Sequence, residues 1–322
     1  MSSRFHERVD FDGDFDTLTG VVASAFDLDR VTDHGVIEIG FQDCNVKLTT
    51  EKGEYVIKIF SKRRSEENII RTVENTKRVI EADVNHPALL QCDDGVLYTD
   101  AASGLKMIVM KFIPGTTFYD TSSYPDDHDL ALIAAEVVKI NAIDYAPPYL
   151  FDSWAPQNMH QMFEKTEDHL SAEGRKLVEK AFAYYDAIPF EQLPTCFIHG
   201  DLLKTNLIKG DDGKIYVIDF SMVNTSPRIQ ELAIMAVNLL FDEQADDSSQ
   251  LMQNVERVIA AYQAAGGTLT DVEKKNVFTY ALPTAAMEYM GSAHKRFNGD
   301  TSEEIVYLEE LGLKSLRRAL VH

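Results

Sequence analysis

The sequence predicts an α+β chain in two lobes: a small β-rich N-terminal lobe over residues 1–113 and a larger helical C-terminal lobe over 114–322. Three observations predict it. Short β-rich runs crowd the stretch from Gly35 to Phe112, and apolar residues at helical spacing dominate after Tyr124. The change of regime falls at Ile113-Pro114-Gly115, where proline and glycine stop a strand. At 322 residues the chain is long enough to bury a core in each lobe.

In order, Val36-Ile37-Glu38-Ile39, Val46-Lys47-Leu48-Thr49 and Tyr55-Val56-Ile57-Lys58-Ile59-Phe60 read as three antiparallel strands. A polar turn from Gly40 to Asn45 joins the first two, and Glu51-Lys52-Gly53-Glu54 joins the next. A helix follows from about Glu66 to Ala82, its apolar stripe supplied by Ile69, Ile70, Val73, Val79 and Ile80, and Asn85-His86-Pro87 ends it. Gly95–Thr99 and Leu105–Phe112 form a second strand pair. Beyond Tyr124-Pro125, helices are expected at Asp129–Asn141, Gln157–Leu170, Ala172–Ala187, Asn254–Ala265, Asp271–Met290 and Glu303–Leu320.

The chemistry is concentrated in Ile198-His199-Gly200-Asp201-Leu202-Leu203-Lys204-Thr205-Asn206 and, shortly after, Val217-Ile218-Asp219-Phe220. Phosphoryl transfer asks for a carboxylate beside the attacking hydroxyl and for oxygen ligands that hold magnesium on a triphosphate. The H-x-D-x-x-x-x-N spacing sets Asp201 and Asn206 on one tight loop, and Asp219 ends an apolar strand. Between them, two short apolar runs flank Gly210-Asp211-Asp212-Gly213, the signature of a β-hairpin. A hairpin would return Asn206 and Asp219 to the same edge, as a shared metal requires.

These residues resemble the catalytic loop and metal-binding Asp of the protein-kinase-like fold. Gly200 at the second position, and Ser221 rather than Gly after Asp219-Phe220, make the pattern similar to the aminoglycoside phosphotransferase and choline kinase superfamily. The run Asp219-Phe220-Ser221-Met222-Val223, leading to Glu231-Leu232-Ala233-Ile234, is nearest the homoserine and hydroxylysine kinase-like branch.

The resemblance implies a bilobal kinase-like enzyme with ATP and Mg2+ as cofactors. Asp201 would be the catalytic base, and Asn206 and Asp219 the metal ligands. Lys58, on an apolar strand, would contact the α- and β-phosphates and pair with a Glu of the next helix. Glu74 is the choice for that partner and Glu67 the alternative. Gly40 to Asn45 would lie over the phosphates, and backbone groups around Met110 to Phe112 would hold the adenine edge. His199 is expected to hold the loop rather than carry protons, and Glu231 to anchor loop and helix. No Walker sequence and no A-P-E motif occurs.

Composition bounds the partners. A net charge of −21, from 52 Asp and Glu against 31 Lys and Arg, argues against nucleic acid, whose phosphates need basic surfaces. It suits a small cationic acceptor, because an acidic cleft steers amines. No run approaches the roughly 18 apolar residues of a membrane span, and the N-terminus lacks an apolar signal core, so a cytoplasmic enzyme is expected. Cys44, Cys92 and Cys196 are expected to be reduced thiols. The acceptor expected is the hydroxyl of an amine-bearing small molecule of the homoserine, hydroxylysine or choline type. An aminoglycoside-modifying phosphotransferase is the alternative within the class. A catalytically silent nucleotide-binding protein is the alternative outside it, and it should have lost one of Lys58, Asp201, Asn206 and Asp219.

Overall fold

The computed structural model describes residues 9–11, 13–37, 43–245 and 248–320. It is a mixed α+β chain with a β-rich N-terminal sheet and a helical C-terminal region. Two compact units divide it, residues 1–117 with 208–221, and 118–207 with 222–322. The hairpin after the catalytic loop thus belongs to the β-rich unit, although it lies far along the chain.

The first unit is built on an antiparallel five-stranded sheet in the order β1-β2-β3-β5-β4: β1 Val31–Ile37, β2 Cys44–Thr50, β3 Gly53–Ile59, β4 Tyr98–Thr99 and β5 Lys106–Lys111. β1 begins five residues before the expected Val36, because its polar start pairs with β2 as an edge strand, Val31 opposite Thr50. Alternation decides what each face carries. Cys44, Val46, Leu48, Tyr55, Ile57 and Ile59 pack with Phe15, Leu18 and Val22 of helix α1 (Phe15–Ala25). On the other face, Ile108 and Met110 pack with Ile69 and Val73 of helix α2 (Glu66–Glu81). Lys58 lies opposite both Asn45 and Ile108 in register, so it shares this second face. Strand β6 (Gly115–Thr117) pairs with β8 (Leu207–Gly210), which neighbours β9 (Ile215–Val217) to complete the expected hairpin. Gly115 is required there, since a Cβ on it would sit 2.3 Å from the Lys209 carbonyl oxygen.

The second unit is mainly helical: α3 Asp127–Asn141, α4 Met159–Thr166, α5 Ala172–Tyr185, α6 Ile229–Ile234, α7 Gln250–Ala264, α8 Asp271–Phe297 and α9 Glu303–Ala319. A short antiparallel ladder joins β7 (Thr195–Ile198) to β10 (Asn224–Pro227). Helix α8 is the buried axis, contacting α4, α5, α6 and α9. It starts at a capping box between Thr270 and Glu273, and buried Glu273 also takes a two-pronged bond from Arg228 at 2.9 and 2.7 Å. The helix expected to stop at Met290 runs on to Phe297, where His294, Lys295 and Arg296 complement its C-terminal dipole. No helix among the described residues is long and apolar enough to cross a membrane.

Candidate active site

The catalytic loop leaves the end of β7 and is held from beneath by a carboxylate. His199 donates its backbone N–H to Glu231 Oε2 at 2.5 Å, and Gly200 donates to the same side chain. Glu231 is fully buried at the start of α6, and burial pushes its pKa up to about 7 against the opposing pull of those two N–H groups. Gly200 adopts φ 81°, and a Cβ there would meet the Met222 carbonyl oxygen at 3.0 Å, which is why glycine precedes the aspartate. His199 is buried, and its Nδ1 accepts the Asp201 N–H at 3.1 Å. Asn206 closes the loop by donating from Nδ2 to the Asp201 backbone oxygen at 2.8 Å and to its carboxylate Oδ2 at 2.9 Å. The amide is thereby oriented with its carbonyl oxygen away from Asp201.

The β-rich unit carries the other half of the predicted set. Lys58 is buried, and its Nζ contacts Asp219 Oδ1 at 2.7 Å. Burial would raise the pKa of Asp219, but the Lys58 ammonium, helped by Arg64, holds it well below the usual carboxylate range. Asp219 is therefore ionised at any pH of interest, as a ligand for a hard cation must be. Its backbone takes φ 66°, a left-handed conformation that residues with side chains rarely adopt, and such strain concentrates at functional positions. An ionised carboxylate is the kind of oxygen donor that magnesium takes. Asn206 and Asp219 fall in different compact units.

Glu74 does not partner Lys58. It pairs with Arg78 one turn along α2, at 2.8 Å, and Glu67 is exposed. The buried stripe of α2 carries Arg71 and Asn75 instead, which donate to the Ser221 and Phe220 backbone oxygens at 3.1 and 3.4 Å. Residues 71 and 75 share one helix face, and 74 with 78 forms the neighbouring one. Helix α2 is thus tied to the segment after Asp219 by backbone recognition rather than to Lys58 by an ion pair. Besides Asp219, the carboxylate beside Lys58 is Asp43, at 3.5 Å.

Asn45 lies opposite Lys58 on the same sheet face, whereas Gly40 lies outside the described residues. Met110 and Phe112 stand at the end of β5. The N–H groups of Lys111 and Phe112 already donate to Ala88 and Glu54 carbonyls, at 2.9 and 3.1 Å, so two donors of the segment expected to read an adenine edge are engaged.

Sequence reasoning did not single out Asp43, Arg71 and Asn75, whose signal lies in register and helix face rather than in a motif. On α8 it named Glu288 and Tyr289, near Gly291, as pocket-facing residues but not the polar stripe to which Glu288 belongs; Tyr289 is buried, its hydroxyl accepting the Ser171 N–H at 3.1 Å. Glu288, Gly291 and Lys295, at i, i+3 and i+7, share one face of that helix. Trp154 packs on Gly291, where a Cβ would be 2.5 Å from the indole Nε1, and Lys295 Nζ lies 4.7 Å from the indole ring centroid. Burial lowers the Lys295 pKa, with the charges of Asp300, Asp201 and Glu304 opposing it. Glu288 bonds Asn238 at 2.7 Å. Desolvation pushes it up to about 7, with the charge of buried Asp152, itself at about 6, adding to the effect.

No curated protein matches the chain by sequence. Among solved structures, it is similar to a choline/ethanolamine kinase family protein from Mesorhizobium loti, at 15% identity over 95% of each chain with a TM-score of 0.70. It is also similar to spectinomycin phosphotransferase in complex with ADP and spectinomycin, at 11% identity over 97% of this chain and 99% of that one, TM-score 0.67. A third is choline kinase LicA from Streptococcus pneumoniae, at 13% identity over 94% and 99%, TM-score 0.64. At these identities the likeness is one of fold. The family itself is shown by sequence: residues 35–274 match the profile of the phosphotransferase enzyme family, and the chain belongs to it.

Proposed function

We propose that the protein is an ATP-dependent kinase that phosphorylates a hydroxyl of an amine-bearing small molecule of the homoserine, hydroxylysine or choline type. The observation that carries this reading is the retention of the whole machinery in a chain of this family. Asp201 is fixed by Asn206, and Lys58 is buried against Asp219. A catalytically silent relative would have no reason to keep them all.

In this reading Asp201 orients the acceptor hydroxyl. As the acceptor oxygen bonds to the γ-phosphorus and the bond to ADP breaks, Asp201 takes the hydroxyl proton late in the reaction. Lys58 contacts the α- and β-phosphates, with Asn45 beside it. Met110 and Phe112 mark the strand end where the base would lie, their segment's carbonyl side the better candidate given the engaged N–H groups. Asn206 and Asp219 would hold magnesium, which supplies charge neutralisation on the triphosphate. The α8 stripe supports the cationic acceptor through Glu288, which offers negative charge once ionised.

The test is an ADP-release screen with Mg·ATP over hydroxylated amino acids, amino alcohols, aminoglycosides and neutral polyols. Acceptor-dependent release confined to amines, and lost in Asp201→Asn, is the expected result. Release with no amine, or equal release in the variant, overturns the reading.

A further inference from the structure

Lys58 needs a counter-ion that stays with it when Asp219 is engaged elsewhere. Its ammonium leans on Asp219 Oδ1 at 2.7 Å. A carboxylate that takes a magnesium ion cannot go on neutralising that ammonium to the same degree, and a buried lysine without a partner is held at high cost. Glu74 is committed to Arg78.

We propose that Asp43 is the standing counter-ion of Lys58 and positions its ammonium for the nucleotide phosphates. This rests on the reading of Lys58 as the phosphate contact. Asp43 directly precedes β2, and by strand alternation its side chain falls on the face that carries Asn45 and Lys58. It is 6% exposed. Its Oδ1 is fully used: it accepts from the Ser61 N–H at 3.1 Å and from Arg64 Nε at 2.9 Å. Its Oδ2 is buried and has no hydrogen-bond partner, yet lies 3.5 Å from Lys58 Nζ. A buried, unbonded carboxylate oxygen is disfavoured unless something is to use it. A sub-ångström shift of the ammonium away from Asp219 would complete a charge-assisted bond here. The Ser61 and Arg64 contacts keep the carboxylate aimed at Lys58. In this chain a strand-edge aspartate, rather than a helix glutamate, positions the phosphate-binding lysine.

The test reads equilibrium binding as well as turnover. Affinity for Mg·AMP-PNP and for adenosine is measured by calorimetry in Lys58→Ala, Asp43→Asn, Asp43→Ser, Asp43→Glu, Arg64→Gln and Glu74→Gln, with melting temperature recorded for each. Both neutral Asp43 variants keep an oxygen for the Ser61 N–H, so the one that melts nearer the wild type is the one compared. Expected are a loss in Mg·AMP-PNP affinity of about tenfold or more in that variant, adenosine affinity within about twofold, and partial recovery in Asp43→Glu. Glu74→Gln should match the wild type. Arg64→Gln, which keeps the Asp43 charge, should lose much less than the neutral variant. Wild-type Mg·AMP-PNP affinity in the neutral Asp43 variant, with Lys58→Ala impaired, overturns the inference alone. Arg64→Gln reproducing the full loss also overturns it, since Asp43 would then serve only to hold Arg64. Unchanged affinity in Lys58→Ala overturns the phosphate-contact reading and the inference with it.

Discussion

Asn206 donates both hydrogens of its side-chain amide to Asp201, one to the backbone oxygen at 2.8 Å and one to the carboxylate at 2.9 Å. The pair explains the five-residue separation in the sequence. Leu203 and Asn206 N–H groups turn the chain through bonds to the Asp201 and Leu203 oxygens, at 2.9 and 3.0 Å, and that turn is the length needed to bring the amide back. One interaction fixes both the orientation of the proposed base and the face of the amide presented to a cation.

Asp201→Asn should therefore remove turnover while leaving nucleotide binding in place. An asparagine can still accept the Asn206 N–H, so the loop geometry survives while the proton acceptor is lost. The expected fall in kcat is about 10²- to 10⁴-fold, with AMP-PNP affinity unchanged. Steady-state kinetics and calorimetry on the same preparation check it, and near wild-type turnover removes Asp201 from the mechanism.

A second expectation separates the two proposed metal ligands. Asp219→Ala should weaken Mg-dependent nucleotide binding more than Asn206→Ala, because an ionised oxygen holds a hard cation better than an amide does. The measurement is nucleotide affinity as magnesium is titrated. Unchanged affinity in Asp219→Ala would count against that strand-end residue as a ligand.

How much of this was legible depends on whether the signal was local. The Asp201 to Asn206 spacing and the hairpin after it are set by contiguous residues, and both were readable from sequence, as were helix α2 and most helices of the second unit. The partner of Lys58 was not. Glu74 sits where a helix glutamate would be sought, but helix phase turns Arg71 and Asn75 inward instead. Asp43 reaches Lys58 only through strand register, which no single segment displays. The stripe of Glu288, Gly291 and Lys295 was half legible. Glu288 is a plain candidate by type, but the packing of Trp154 on the same helix face depends on Gly291 making room for an indole from another loop.

The buried Glu231 should leave a mark on stability. Burial pushes its pKa in the folded state up to about 7, above the ordinary value of 4.5. The folded state thus binds a proton that the unfolded state has already lost between those two values. Its contribution is fully present below about pH 4.5 and is lost as pH rises through about 7, each pH unit in that window being worth about 1.4 kcal/mol. Glu231→Gln still offers an oxygen to the His199 N–H but does not ionise. Its melting temperature should fall less than that of the wild type between pH 5 and pH 7.5, as read by differential scanning calorimetry. Parallel curves for the two proteins would show that Glu231 does not titrate in this window.

The acceptor itself supplies the last expectation. If Glu288 faces a cationic amine, its ionisation near pH 7 should govern acceptor affinity. The acceptor's KM should then fall as pH rises through that value, because the carboxylate gains the charge that an ammonium needs. Asp152, titrating near 6, raises the Glu288 value and so is part of the same response. Glu288→Gln keeps the bond to Asn238 yet lacks the charge. It should raise the amine KM about ten- to a hundredfold, the range of a charge-assisted hydrogen bond, and flatten its pH dependence. Added salt should raise the wild-type amine KM more than the KM for ATP, since screening acts over about 8 Å at physiological ionic strength. The general acidity of the chain, 52 acidic against 31 basic residues, would raise cation encounter everywhere, but only a carboxylate at the binding face makes KM depend on one residue. Kinetics with an amino alcohol and a neutral polyol, across pH and salt, decide the matter. A polyol turned over better than every amine, with a Glu288→Gln variant indistinguishable from the wild type, would leave the acidity a matter of solubility.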